Sequence, residues 1–217
     1  ASGGTIETAT GTALTLVTDV VLTGNLSKTG LGELYVNDVT AGSGTVTVNN
    51  GTLGGVGTIS GDTTIKSGAT LTAGTSTNIV TETLTFSGDL TAESGSIWLV
   101  NLVRDSNTVS DLINVTGASL NISDAVLTLA ATGTFTQGNS YTLANYASRT
   151  GFFAGLGNTG EWTIGGNQYY LDYGSGTNSA ITLTAVPEPA AFIPLLPLLL
   201  AGLWFVRRRK LLQAQTA

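Results

Sequence analysis

Apolar and polar residues alternate with a period of two through most of this 217-residue chain. The alternation recurs in short runs between residues 1 and 186, for example at 97–100 and 126–129. Successive side chains of a β-strand point to opposite faces, so this period indicates half-buried strands. The runs are rich in threonine, valine and isoleucine, which suit a pleated sheet. We therefore predict an all-β body over residues 1–186.

Glycine-containing turns separate these runs, as at Asn50-Gly51 and Ser67-Gly68. Short strands with frequent turns fit a sandwich, a barrel or a β-solenoid. Residues 47–53 (TVNNGTL) resemble residues 64–71 (TIKSGATL), 17 positions later, and residues 90–97 show the pattern again. A strand, a turn and another strand that recur about every 20 residues are typical of stacked coils. The repetition favours a parallel β-solenoid over a sandwich.

The residue types that are missing exclude several kinds of chemistry. The chain has no cysteine and no histidine, so a Ser-His-Asp triad, a thiolate nucleophile, a histidine metal ligand and a disulfide are all impossible. Residues 1–186 carry 13 acidic and four basic side chains, a net charge of −9. Such a surface has no positive patch for phosphate backbones, and we predict no binding to nucleic acid.

The C-terminal part of the chain has a different composition. Residues 190–206 (AAFIPLLPLLLAGLWFV) are 17 uncharged residues, close to the roughly 17–25 needed to cross a bilayer as a helix. Arg207, Arg208, Arg209 and Lys210 follow at once. By the positive-inside rule these bases remain cytoplasmic. We predict a single transmembrane helix at 190–206 with a short cytoplasmic tail at 211–217; the alternative is a buried core helix.

The residues before this apolar segment resemble a known sorting signal. Val186, Pro187, Glu188 and Pro189 precede the apolar segment, and the basic cluster follows it. This order resembles the PEP-CTERM sorting domain of Gram-negative envelope proteins. The resemblance implies that residues 187–210 are processed by an exosortase-type membrane protease. Two prolines also hold the backbone extended and remove two amide donors, which suits a protease cleft; the alternative is a plain juxtamembrane linker.

A second resemblance concerns the body. Residues 27–36 (SKTGLGELYV) resemble the opening of autotransporter-associated β-strand repeats, and residues 44–74 resemble the passenger segment that follows it. Further matches lie at 111–117, 141–143, 151–156 and 162–171. The resemblance implies that residues 1–186 form a right-handed parallel β-helix.

Two groups of residues are candidates for a site in the body. Arg104, Asp105 and Asp111 are the densest ionisable group, and β-helix polysaccharide lyases and hydrolases use such residues; the alternative is a polar turn between strands. Residues 54–62 (GGVGTISGD) resemble one calcium-binding nonapeptide but lack its internal aspartate. We interpret these glycines as tight turns, and we predict no metal, no cofactor and no catalytic residue.

Aromatic side chains gather between residues 135 and 186. They are Tyr141, Tyr146, Phe152, Phe153, Trp162, Tyr169, Tyr170 and Tyr173. A solenoid must cover the open core of its last coil, and bulky rings do so well. We therefore predict a C-terminal cap over about 135–186. The alternative is a face that binds glycan, with Trp162 as a ring on which a sugar stacks.

Together these features predict a non-enzymatic structural protein of the cell surface or the exopolysaccharide matrix. It would be exported across a bacterial inner membrane, anchored there by one helix with its C-terminus in the cytoplasm, and processed by the exosortase-type protease. Exopolysaccharide is a further partner that the resemblance suggests. The alternatives are an adhesin that binds glycan or cells and, third, a β-helix enzyme that degrades polysaccharide through Asp105 and Asp111.

Overall fold

The computed structural model describes residues 3–18, 20–41, 44–76, 82–104, 110–157, 160–164, 166–175 and 179–186. All regular structure in these residues is β, with 22 strands and no helix. The predicted all-β body is thus confirmed over the described residues. The chain divides into two units between Val186 and Pro187, and only the first unit is described. In the described residues no helix is long and apolar enough to span a membrane; the segment predicted to do so, 190–206, lies outside them.

The strands form three sheets that the chain visits in a fixed order, and one passage through all three is called a coil here. Within the described residues there are six coils: β1 (Gly4–Glu7), β2 (Ala13–Leu16) and β3 (Val20–Val21); β4 (Leu26–Thr29), β5 (Glu33–Val36) and β6 (Val39–Ala41); β7 (Val46–Val48), β8 (Thr52–Gly54) and β9 (Thr58–Ile59); β10 (Thr63–Ile65), β11 (Thr70–Leu71) and β12 (Thr83–Phe86); β13 (Leu90–Ala92), β14 (Ile97–Val103) and β15 (Leu112–Val115); β16 (Ser119–Asn121), β17 (Val126–Thr132) and β18 (Ser140–Tyr146). Sheet 1 begins with β1, sheet 2 with β2 and sheet 3 with β3, and neighbouring strands of successive coils are parallel.

Four strands follow the sixth coil. They are β19 (Ser148–Thr150), β20 (Gly160–Ile164), β21 (Asn167–Asp172) and β22 (Ser179–Ala185). The first of them adds a parallel strand to sheet 1 beside β16. The other three join sheet 3 in the order β18, β22, β21, β20, and all of their pairings are antiparallel. The parallel stacking of sheet 3 therefore ends at β18.

The repeats noticed in the sequence are stacked on one another. Thr47 lies opposite Thr64, and Thr64 lies opposite Thr91. One coil advances the chain by 17 residues between Val46 and Thr63, but by 30 between Leu90 and Leu120. The extra residues of the longer coils lie between sheets 2 and 3, for example between β14 and β15. The coils share their strands and corners while their connections differ in length.

Apolar side chains of successive coils form continuous columns inside the stack. Leu34, Leu53, Leu71 and Trp98 are opposite one another on sheet 2, and all are fully buried. Burying one such side chain stabilises the fold by about 1.5–3 kcal/mol. Because parallel strands lie about 4.8 Å apart, each side chain packs on the equivalent one of the coil before. The core therefore runs along the stack of coils.

Lys28 occupies an inward position on sheet 1, between Ile6 and Val48 of the neighbouring coils. Its side chain is fully buried. Its Nζ atom donates hydrogen bonds to the carbonyls of Thr29 at 3.0 Å, Gly30 at 2.9 Å and Asn50 at 3.0 Å. Burial lowers the pKa of the ammonium below its usual value. Lys28 thus ties the second coil to the third at the corner between sheets 1 and 2.

Glycines line the corner between sheet 3 and sheet 1. A Cβ atom added at Gly44 would lie 2.1 Å from the Gly24 carbonyl oxygen, and one at Gly61 would lie 1.8 Å from that of Gly44. A Cβ atom at Gly88 would lie 2.6 Å from the backbone carbon of Gly61. At this corner only hydrogen atoms fit between successive coils, so the turns there require glycine.

Candidate functional site

The predicted sorting motif begins where the described body ends. Strand β22 finishes at Ala185, whose amide donates to the Asn139 carbonyl at 2.8 Å. Val186 is the last described residue, and its amide donates to the Gln168 carbonyl at 2.9 Å. The other predicted site residues, Pro187, Glu188, Pro189, Arg207, Arg208, Arg209 and Lys210, lie outside the described residues. The chain is thus hydrogen-bonded to the body up to the residue before the first proline.

The candidate catalytic group is only partly described, because Asp105 lies outside the described residues. Asp111 is buried, with 2% of its surface exposed. Its carboxylate accepts hydrogen bonds from the Asn101 amide at 2.9 Å, the Asn101 side-chain nitrogen at 2.8 Å and the Glu82 amide at 3.2 Å. The Asp111 amide in turn donates to the Asn101 carbonyl at 2.9 Å. These bonds tie Asp111, which directly precedes β15, to Asn101 of β14 and to Glu82, which directly precedes β12.

Burial raises the pKa of Asp111 to about 6. The three N–H donors oppose this rise because they favour the charged form, and the nearby Glu82 carboxylate adds to it by repulsion. A raised carboxyl pKa is common at catalytic sites, but structural networks produce it too. Here both oxygens of the carboxylate are occupied by backbone and side-chain donors of the body itself. The geometry therefore gives the Asp111 carboxylate a structural role, which is to accept hydrogen bonds from its own coil and from the coil before it.

Arg104 is also bound to the backbone. Its amide donates to the Thr132 carbonyl at 2.9 Å, and its Nε atom donates to the same oxygen at 3.2 Å. The Arg104 carbonyl accepts hydrogen bonds from the side chains of Asn139 at 3.3 Å and Tyr141 at 3.4 Å. Within the described residues Lys66 and Glu93 form an ion pair, whereas Arg104 and Asp111 do not. The two side chains are not assembled as an acid–base pair.

The glycine-rich segment 54–62 passes close to the preceding coil. A Cβ atom at Gly55 would lie 2.1 Å from the Val36 carbonyl oxygen, and one at Gly57 would lie 2.1 Å from that of Asp38. Across the residues that the structure describes, no cluster of three acidic side chains could hold a metal ion. These glycines allow the close approach of the coils.

Most of the aromatic rings predicted to form the cap are buried. Tyr141, Tyr146, Phe153, Tyr169 and Tyr173 each expose 4% or less of their surface. The ring of Phe153 packs edge-to-face on Trp98 at a centroid distance of 5.5 Å. These five buried rings pack in the interior and present no face to a sugar. Phe152 and Tyr170 remain more than one-third exposed, and Trp162 is half-buried.

A groove that the sequence did not reveal lies on the outer face of sheet 3. It has a volume of about 300 Å³ and is lined by residues that include Asn114, Thr116, Asn145, Ser179 and Ala180, called the asparagine groove here. Asn114 lies opposite Asn145, and Asn145 lies opposite Ala180, on three adjacent strands. The alternation in β15 places Asn114 outward, because Ile113 and Val115 are buried. The pairing with Asn145 could not be foreseen, because it depends on the length of the coil.

Comparison of the chain with models of protein families and with curated proteins finds no match. The two family resemblances seen in the sequence therefore stay predictions.

Proposed function

We propose that this chain is a non-enzymatic structural protein of the bacterial cell surface or the exopolysaccharide matrix. In this proposal residues 1–186 form a right-handed parallel β-helix, and residues 187–210 are a PEP-CTERM-type sorting signal with a transmembrane helix at 190–206. An exosortase-type protease of the inner membrane processes the signal and passes the body to the surface.

The observation that carries the proposal is the position at which the body ends. The compact unit of the body ends at Val186, whose amide still donates a hydrogen bond to the Gln168 carbonyl. Pro187 and Pro189 have no amide hydrogen, so the chain cannot extend this ladder through either residue. A protease requires an extended segment that is free of the fold. The two prolines of the motif thus follow directly after the residue at which the compact unit of the body ends.

The outer surface of the body is compatible with a structural role. On sheet 1, Ser27, Thr47, Thr64 and Thr91 follow one another on the outward face at the spacing of the strands. Their backbones are hydrogen-bonded from coil to coil, which fixes a regular polar face on a rigid support. Such a face is suited to repeated weak contacts in a matrix.

The test replaces the motif and follows the protein in its native cell. The triple variant Pro187→Ala, Glu188→Ala, Pro189→Ala should accumulate at full length in the inner membrane, while the unchanged protein is shortened and released. A matched triple variant in the tail, Leu211→Ala, Leu212→Ala, Gln213→Ala, should be processed normally. Normal processing of the motif variant would contradict the proposal.

A further inference from the structure

We propose that the asparagine groove binds a neutral, polyhydroxylated ligand, namely an uncharged oligosaccharide segment. This inference goes beyond the sorting proposal and does not depend on it, because every residue that it uses lies in the described body.

Two unpartnered carboxamides define the chemistry of the groove. Asn114 and Asn145 are half-buried and face outward from adjacent strands, about 4.8 Å apart along the sheet. Among the described residues neither side chain has a hydrogen-bond partner, and the two do not bond each other. Each carboxamide offers one acceptor and two donor hydrogens. A pair of sugar hydroxyls, which both donate and accept, complements this arrangement.

The shape of the groove comes from the change of strand direction in sheet 3. The parallel pair β15–β18 meets the antiparallel strand β22, and the register of β18 against β22 shifts between Thr142 and Ala144. Ala180 follows Asn145 in the same row, and its small side chain leaves open the space beyond the carboxamides. A volume of about 300 Å³ is at the lower end of the range for small-molecule sites, roughly 300–1,000 Å³.

The lack of charged side chains in the groove disfavours anionic ligands and metal ions, and its polar lining disfavours apolar ligands. Over the described residues no charged side chain lines the groove, so it has neither a cation to hold a phosphate or carboxylate nor an acid to hold a metal. Residues 1–186 carry a net charge of −9, which repels anionic polymers. An apolar ligand would cover both carboxamides without offering hydrogen bonds, and burying such groups unpaired is unfavourable.

The experiment uses the full chain in a detergent without a sugar headgroup, with cellohexaose, maltohexaose and laminarihexaose as neutral probes and trigalacturonate as an anionic one. Ligand-observed saturation-transfer NMR should show saturable binding of at least one neutral probe, with a dissociation constant of about 1 mM or below. The double variant Asn114→Ala, Asn145→Ala should weaken that binding by about tenfold or more, because both carboxamides are lost.

A control variant outside the groove and a second variant inside it show whether a loss of binding comes from the groove itself. Thr52→Ala, Thr70→Ala removes two outward polar side chains on adjacent strands of sheet 2 and should bind like the unchanged protein. Ala180→Trp fills the groove while keeping both asparagines and should also abolish binding. The proposal is overturned if no neutral probe binds at about 10 mM, if trigalacturonate binds better than the neutral probes, or if binding survives in both groove variants.

Discussion

Replacing Gly61 by alanine tests the stacking of the coils at their tightest point. The added Cβ atom would lie 1.8 Å from the carbonyl oxygen of Gly44 in the preceding coil. Non-bonded carbon and oxygen atoms settle at about 3.3 Å or more, so the two coils would have to separate by over 1 Å at this corner. The adjacent hydrogen bond from the Val46 amide to the Asp62 carbonyl, 2.8 Å long, would stretch with them.

The expected loss of free energy of unfolding combines these two effects. Overpacking costs about 1–3 kcal/mol, and a weakened backbone hydrogen bond adds about 1 kcal/mol. We therefore expect Gly61→Ala to lower the free energy of unfolding by about 2–4 kcal/mol. For a body of this size, each 1 kcal/mol lowers the Tm by about 2–4 °C, so the fall should be about 4–16 °C. Thermal unfolding followed by circular dichroism measures it.

Gly4 provides the matched control, because a Cβ atom there meets no atom within 4 Å. Gly4→Ala should leave the Tm unchanged or raise it slightly, since alanine restricts the unfolded chain. If Gly61→Ala melts within about 2 °C of the unchanged protein, roughly the effect of 1 kcal/mol or less, the close contact between the third and fourth coils is refuted.

Three further changes probe single contacts of the body. Lys28→Ala should lower the free energy of unfolding by about 2–4 kcal/mol in urea denaturation, because it leaves a cavity and three carbonyls without a donor. The control Lys66→Ala, which breaks an exposed ion pair, should lower it by about 1 kcal/mol or less. Equal effects of the two variants would contradict the burial of Lys28. Asp111 has a pKa raised to about 6, so its folded form binds a proton more tightly than its unfolded form. The contribution of the Asp111 carboxyl to the free energy of unfolding is therefore complete below about pH 4 and falls by up to about 3 kcal/mol as the pH rises through 6. Asp111→Asn should remove this slope from the curve of unfolding free energy against pH, and an unchanged slope would refute the raised pKa of Asp111. Asp124 has a φ of 58°, so Asp124→Gly should raise stability by up to about 1 kcal/mol, whereas a clear loss on urea denaturation would show that its side chain is needed.

The sequence was informative where local patterns repeat. Alternation identified the strands, and the similarity of 47–53 to 64–71 identified two segments that the structure stacks, with Leu53 opposite Leu71. This succeeded because the coil between them has no insertion. The next coils advance by 27 and 30 residues, so their register could not be obtained from a fixed period.

The alternation of apolar and polar residues does not predict the contacts of individual polar side chains in the body. Lys28 is one of the four basic residues among residues 1–186, and nothing in its sequence context indicates burial. It is buried because three backbone carbonyls replace its water. Arg104 and Asp111 are close in sequence, which makes them candidates for a site, but the structure binds each to a different part of the backbone. Asn114 and Asn145 come together only through the parallel pairing of β15 and β18.

The central claim is that the chain is cut and sorted at the end of its β-sheet body. The most direct measurement is the intact mass of the protein in each fraction of its native cell. The account predicts a surface or extracellular species whose C-terminus lies between residues 186 and 190, next to Val186, at which the compact unit of the body ends. A full-length species found only in the inner membrane would contradict it.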